Sequence, residues 1–397
     1  MKQTGDLNLI KKINKSIVLD YLRRHSPISR ARIAELTGLT KATVSSLVNE
    51  LITSNLAHEI GAGMSSGGRK PMMLHFHAAA GYAIGIDLGV NYILAALTDL
   101  SGTLIDEYKL EHQNSSLEQV IELIQASIRV MIARAPQSTY GIVGIGIGVP
   151  GISDEQGNVL FAPNLGWQHV PLRNLIENEF NLPVVIDNEA NAGAVGEKQF
   201  GIGKSAAQLV YLSIGMGIGT GIILKGELFR GSSGFSGEVG HASIQYDGKT
   251  CVCGNYGCWE LYASENALLE AGRLEFSDPK ITLEQLLKLA GEGSLEAKAL
   301  FTQLGRFLGI GIVMIINTYN PEMIVIGGRI ALAQQWLMTP MQAEITKRSH
   351  PYPLQQLHVQ FSELGSKAAV LGACSFAISS FFSSNKVMVE LQSYFPD

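Results

Sequence analysis

Apolar residues at Ile17, Val18, Tyr21 and Leu22 recur at helical spacing through Asn14 to Arg24, and the stripe stops before Pro27. Ser29 can cap a second helix over Arg30 to Thr37, and Gly38 can close it in the left-handed conformation. Thr40 then caps a third helix, in which Val44, Leu47, Val48 and Leu51 fall at i, i+3, i+4 and i+7 and must face inward. Only Gly38-Leu39-Thr40 separates the last two helices, the tight turn of a helix-turn-helix. Ala57 to Ile60 and Met72 to Phe76 read as two strands around a glycine- and serine-rich loop, Gly61 to Gly68, which makes a wing.

From Tyr82 the pattern changes to strands and glycine turns. Tyr82 to Gly89, Tyr92 to Leu100 and Thr103 to Lys109 form one set, and a similar unit recurs at Leu209 to Gly221, Ile222 to Leu224 and Glu227 to Arg230. Helical segments such as Leu117 to Ala133 and Leu295 to Tyr319 follow each half. An internal duplication of two α/β lobes with a cleft between them fits this alternation. The longest apolar stretch, Phe307 to Ile316, is broken by Gly309 and Gly311 and is shorter than the roughly 18 residues a membrane span needs.

Charge changes the picture of the N-terminal part. Residues 1–80 carry 11 Lys/Arg against 5 acids, whereas the remainder carries 19 against 30. A basic head on an acidic body suits a polyanion-binding domain joined to something else. On the third helix the inward stripe leaves Lys41, Ala42, Ser45, Ser46 and Asn49 outside. With Thr43 and Arg30 these are candidates for reading base edges and backbone in a major groove. In the wing, Gly68-Arg69-Lys70-Pro71 offers Arg69 and Lys70 to a minor groove, with a merely solvated basic loop as the alternative.

Three of the four cysteines fall between Glu238 and Glu260, as Cys251-x-Cys253 followed by Cys258. With His241 as the fourth donor they predict a Cys3His tetrahedral zinc site with no open position, hence structural. Four cysteines in 397 residues do not make a disulfide-stapled secreted domain. The start, Met1-Lys2-Gln3-Thr4, shows no export signal, so a reducing cytoplasm is expected. Cys374, in the apolar run Ala373 to Ile378, reads as a core residue.

Asp87-x-Gly89, Gly148-Val149-Pro150-Gly151, Asn188-Glu189-Ala190-Asn191-Ala192, Glu238-Val239-Gly240-His241, the cysteine loop and Ile326-Gly327-Gly328 stand in the order found in the ROK family of repressors and sugar kinases, which the chain resembles over nearly its whole length. With the winged head attached, the resemblance is to the repressor branch. It implies a winged helix-turn-helix at 1–78 and an actin-like, sugar-kinase fold beyond it. The first lobe would cover 79–190, completed by a C-terminal helix at 364–385. The second would cover 191–363, with the zinc loop and a dimerisation surface. The resemblance further implies that Asn188, Glu189, Glu238, His241 and Glu260 bind sugar hydroxyls, with Gly151 and Asn164 as weaker candidates. His241 would use one ring nitrogen for zinc and the other for the sugar, and Trp167 would cover the apolar ring face.

Departures from the kinase pattern point away from phosphoryl transfer. Glu189 stands where family kinases place an aspartate base, and Asn91 and Met216 stand where threonines are usual. Expected partners are operator DNA, a sugar inducer (D-xylose ahead of glucose or N-acetylglucosamine) and a second copy of the chain, with no membrane partner. The longer Glu189 would reach into the space left by the missing exocyclic carbon of a pentose. An active sugar kinase with a DNA-binding head is the competing reading.

Overall fold

Two five-stranded sheets with one shared strand order build the body. In the computed structural model, which describes residues 7–62, 71–113 and 115–384, the first sheet runs Val184–Asn188, Ile142–Val149, Tyr82–Leu88, Tyr92–Asp99, Leu104–Glu111 across its width. The second runs Glu227–Leu228, Ile218–Leu224, Leu209–Ile214, Met323–Gly327, His358–Phe361, with the same pattern in reverse. In each, the earliest strand is central. It pairs antiparallel with a hairpin on one side and parallel with a later strand on the other. The recurrence in the sequence is therefore a duplicated topology.

The central strands are apolar on both faces because both faces are covered. All seven residues of Tyr82–Leu88 are buried, Asp87 among them. Helices Leu117–Arg134 and Leu172–Phe180 supply the first lobe's outer core. The second core collects Phe301, Leu304, Leu308, Ile312 and Ile315 from Leu295–Tyr319. That helix has 25 residues, so it is longer than the apolar run Phe307 to Ile316 and passes a length-and-composition test for crossing a bilayer. Its inward face is packed in the second lobe.

In the head, the helix-turn-helix forms through the caps expected of it. Ser29 Oγ accepts the Arg32 N–H at 3.2 Å, Gly38 adopts φ 70°, and Thr40 Oγ1 accepts the Thr43 N–H at 3.1 Å. The first helix spans Leu7–His25 rather than starting near Asn14, because Ile10 and Ile13 continue the three-to-four spacing upstream of Ile17. Lys11 and Lys15 pair with Glu50 on the third helix, which fixes that longer helix in place. Residues Ile28–Ser29 add a third strand to the wing sheet, opposite Leu74 and Met73. Two residues are too few to show a periodicity.

Helix Lys367–Ser384 packs on helix Glu189–Gln199 and across the first sheet. The contact is backbone to backbone. A Cβ on Gly196 would lie 2.0 Å from the Ala368 carbonyl oxygen, and one on Gly372 would lie 1.7 Å from that of Ala192. The far end of the same helix enters the head. Phe381, Phe382, Ala377 and Ile378 share one buried cluster with Val18, Leu22, Val44 and Leu74. Arg23 stacks 4.4 Å over the Phe382 ring, and Tyr140 donates to the Ser54 carbonyl at 2.6 Å.

Gly372→Ala is therefore expected to cost about 1–3 kcal/mol or more of stability, since backbone must move to admit one methyl group. Gly291→Ala, in a helix with open space around it, is expected to be neutral or slightly stabilising. Denaturant unfolding checks both. Equal effects would contradict the close-packed crossing.

Candidate functional site

A cavity of about 580 Å³ lies between the lobes, with the facing ends of the central strands among its walls. The local fold explains who reaches it. Asn188 ends strand Val184–Asn188 and caps helix Glu189–Gln199; Glu238 and His241 flank the turn Val239–His241; Glu260 opens the short helix Glu260–Ala263. The cavity is lined by Asn188, Glu189, Glu238, His241 and Glu260, and by Gly151 and Asn164. Trp167 is not among its lining residues. It is only 3% exposed, in the first lobe's core, because the strand Trp167–Val170 turns that face inward. The aromatic walls are Tyr92, Phe161 and Phe235.

Asn188 already does structural work. Its Oδ1 accepts the Ala190 N–H at 2.7 Å, and its Nδ2 donates to the Gly151 carbonyl at 3.0 Å. One lone pair and one amide hydrogen remain for a ligand. Glu189 is held differently. Burial, then the nearby Asp87 and Glu238 charges, push its carboxyl up to about 8, so it carries its proton at neutral pH. Its Oε2 is sealed from solvent and has no hydrogen-bond partner among the described residues. Asp87 is raised to about 6 by burial, although the Tyr92 hydroxyl donates to its Oδ2 at 2.8 Å. Its Oδ1 also has no partner among the described residues. Glu238 is raised as well, by burial foremost and by Glu260 in addition.

Two arginines frame this acidic floor. Arg230, from the second lobe, donates through Nη2 (2.7 Å) and Nε (3.2 Å) to Asp187 Oδ2, while Asn191 Nδ2 holds Oδ1 at 2.8 Å. Arg329 binds buried Glu265 at 3.1 Å and also pairs with Glu284. Asn91 and Met216 line the cavity, Met216 with 42% of its surface exposed. Nothing in the sequence reading selects Tyr92, Asp187 or Arg230. The one available signal is a carboxylate interrupting an apolar strand, as in Val184-Val185-Ile186-Asp187.

His241, Cys251, Cys253 and Cys258 place one donor atom each within 4.8 Å of one another. Zinc–sulfur bonds of about 2.3 Å at tetrahedral angles put two sulfurs about 3.8 Å apart, and a sulfur and a nitrogen about 3.6 Å apart. Cys253 Sγ and Cys258 Sγ are separated by 3.7 Å, and Cys251 Sγ and His241 Nδ1 by 3.6 Å. The donor set thus fits a tetrahedral thiophilic ion, with Nδ1 as the ring ligand. His241 Nε2 points the other way, 3.9 Å from Glu238. Glu260 Oε1 lies 3.3 Å from both Nδ1 and the Cys251 sulfur. Burial pushes the Cys251 thiol up to about 12, so a cation must displace its proton to bind. Trp259 anchors the loop by donating to the Phe307 carbonyl at 2.8 Å.

On the head, Lys41, Ala42, Ser46 and Asn49 are exposed along helix Lys41–Thr53, with Thr43 and Ser45 half-buried. Arg30 is committed within the protein: it donates to Glu59 in the wing and, at 3.1 Å, to Asn49 Oδ1. Arg69 and Lys70 lie outside the described residues.

A winged helix-turn-helix joined to a duplicated α/β body, with a thiolate-and-histidine loop at the interlobe cleft, defines a DNA-binding protein on a sugar-kinase-type fold. The profile of the ROK family matches residues 83–380, and that of the MarR family matches residues 12–60. The chain belongs to the ROK family. It is 43% identical to the xylose repressor of Bacillus spizizenii over 95% of this chain and 98% of that protein. The crystal structure of a ROK family transcriptional regulator, a homologue of the Escherichia coli MLC protein, superposes with a TM-score of 0.81 at 30% identity, covering 96% of this chain and 99% of that one. A ROK family glucokinase from Streptomyces griseus, in complex with glucose and AMPPNP, superposes with a TM-score of 0.68 at 29% identity, covering 75% and 100%.

The buried Glu189 makes stability depend on pH. An unfolded glutamate sheds its proton near 4.5, whereas the folded chain keeps it to about 8. Between those values stability falls as pH rises, by up to about 1.4 kcal/mol per pH unit. Glu189→Gln is expected to melt above the native chain at pH 8 and to converge with it near pH 5. An offset that does not change with pH would contradict this assignment.

Proposed function

We propose that the chain is a sugar-responsive transcriptional repressor that holds operator DNA in the absence of inducer and releases it when D-xylose occupies the interlobe cleft. The observation that carries this reading is helix Lys367–Ser384, which touches both the helix presenting Asn188 and Glu189 and the core of the DNA-binding head. The identity with a xylose repressor over nearly all of both chains supports the choice of sugar. The proposed domains are 1–78, 79–190 completed by a C-terminal helix at 364–385, and 191–363, working in a reducing cytoplasm.

In the cleft, protonated Glu189 donates to a sugar hydroxyl, Glu238 and Glu260 accept, and Asn188 does one of each. His241 Nε2 meets another hydroxyl while zinc on Nδ1 fixes the ring and its tautomer. Zinc is structural here, holding the loop in shape, and Gly151 and Asn164 complete the wall. A dense set of carboxyls welcomes a neutral polyol and disfavours a phosphorylated one. Closing the lobes on sugar displaces helix Glu189–Gln199, and the helix packed on it carries the shift to the head. In a dimer the two heads must match half-sites spaced by the DNA repeat, so a few ångströms of misplacement weaken binding. Lys41, Ala42, Thr43, Ser45, Ser46 and Asn49 face the groove and Arg30 steadies Asn49, while Arg69 and Lys70 are the proposed basic contacts to the minor groove.

The same cleft is proposed not to transfer phosphate. Met216 offers no useful donor to a phosphate, and a carboxyl that keeps its proton at neutral pH is a donor rather than a base.

Gel shifts on DNA upstream of a neighbouring sugar operon, with xylose, glucose, N-acetylglucosamine and ATP added separately, test the reading. Xylose is expected to release the DNA and ATP to have no effect, with no label transferred from ATP to any aldose. Release by another sugar alone would reassign the inducer, and label transfer would restore the kinase. In calorimetry Glu189→Asp should bind xylose at least tenfold more weakly; equal affinity would remove the role given to the longer side chain.

A further inference from the structure

Arg230 touches three parts of the molecule that must move together if the cleft governs the head. It follows strand Glu227–Leu228 in the second lobe. Its guanidinium reaches the first lobe, where Nη2 and Nε both donate to Asp187 Oδ2, at 2.7 and 3.2 Å. The guanidinium carbon also lies 5.8 Å from the centre of the Phe376 ring, on helix Lys367–Ser384. That is cation–π distance. An ion pair with one half-exposed partner adds little to stability, but a fork that joins two lobes fixes their relative position.

Asp187 passes this grip to the corner that presents Asn188 and Glu189. Its other oxygen, Oδ1, accepts the backbone N–H of Asn188 and the side-chain amide of Asn191, each at 2.8 Å. With two donors on each oxygen the carboxylate has no lone pair to spare, so Arg230 and the start of helix Glu189–Gln199 are held to one another through a single side chain. On its own side, Arg230 opens a strap that runs to Glu238. Ser236 closes the strap on itself, its N–H donating to the Arg230 carbonyl at 3.2 Å and its Oγ to the Phe229 carbonyl at 2.6 Å. The far end is seated on the second sheet. There Gly237 has φ 97°, and a Cβ on it would lie 2.2 Å from the Thr220 carbonyl oxygen.

We propose that Arg230 is a positioning residue for induction, the side chain through which the second lobe drives the C-terminal helix. Sugar that draws Glu238 toward Asn188 and Glu189 moves the strap, and the strap carries Arg230. Arg230 in turn moves Asp187 with the helix behind it, and Phe376 with the helix that ends in the head. This rests on the repressor reading above and adds to it the part that pulls. The crossing at Gly196 and Gly372 makes the two helices move as one; Arg230 connects that pair to the opposite lobe.

Xylose titrations with and without operator DNA, on the native chain, Arg230→Met, Arg230→Lys and Arg230→Met/Asp187→Asn, test the assignment. The double variant guards against misfolding, because it leaves no unpaired buried charge and its new amide keeps an oxygen for Asn188 and Asn191. The native chain should bind xylose roughly 5- to 150-fold more weakly on operator, and Arg230→Met should shrink that ratio at least about threefold. Arg230→Lys keeps the charge without the fork and should fall between them. The double variant should lose no more than Arg230→Met, since both changes break one contact. Operator affinity without sugar should stay native in all three, as none of them touches the head. A merely structural arginine would lower the melting temperature and leave the ratio alone. An undiminished ratio in Arg230→Met and in the double variant would overturn the proposal, whereas a native chain whose xylose affinity ignores operator would overturn the repressor reading itself and this assignment with it.

Discussion

The crossing of helices Glu189–Gln199 and Lys367–Ser384 is the constraint on which the rest of the structure depends. Gly196 and Gly372 let two helix backbones meet with no side chain between them, so neither helix can shift without moving the other. One helix begins at Asn188 and Glu189 in the cleft. The other ends among Phe381, Phe382, Arg23 and Phe76 under the DNA-binding helices. A rigid joint at the crossing and a shared apolar core at the far end give the cleft and the winged head one continuous packed connection.

The cleft is electrostatically costly, and the cost has a direction. Asp87, Glu189 and Glu238 are all raised by burial, and among the described residues Asp87 Oδ1 and Glu189 Oε2 find no partner. Buried polar atoms without partners are rare, and a carboxyl that keeps its proton lowers the cost of burying it. The thiolate loop contributes by aiming His241 at the same space, while Trp259 fastens that loop to the second core. Arg230 and Asp187 join the lobes beside the site, so the geometry of the floor depends on how far the cleft is closed.

Much of this was legible in the sequence, for local reasons. Ser29, Gly38 and Thr40 announce the helix-turn-helix because capping chemistry needs those residue types at those positions. The two strand-and-glycine units announce the duplication because both central strands are apolar on both faces. The cysteine spacing announces the loop. What stayed hidden are long-range partnerships. Trp167 is an aromatic in the right stretch, yet it points into the core; Arg30 is basic and near the groove, yet it is taken by Glu59 and Asn49. Tyr92 beside Asp87, and Phe382 beneath Arg23, depend on tertiary contacts that no periodicity encodes.

Sugar and operator are proposed to act on each other through the C-terminal helix. Linkage makes that claim reciprocal, so operator must weaken sugar binding by the factor by which sugar weakens operator binding. The direct measurement is calorimetric titration of xylose into the native chain and into Phe382→Leu, each with and without operator DNA. Coupling through that helix gives a roughly 5- to 150-fold difference for the native chain and a ratio much closer to one for Phe382→Leu, with sugar affinity in the absence of DNA unchanged. Equal xylose affinities with and without operator in the native chain, or an undiminished ratio in Phe382→Leu, would contradict it.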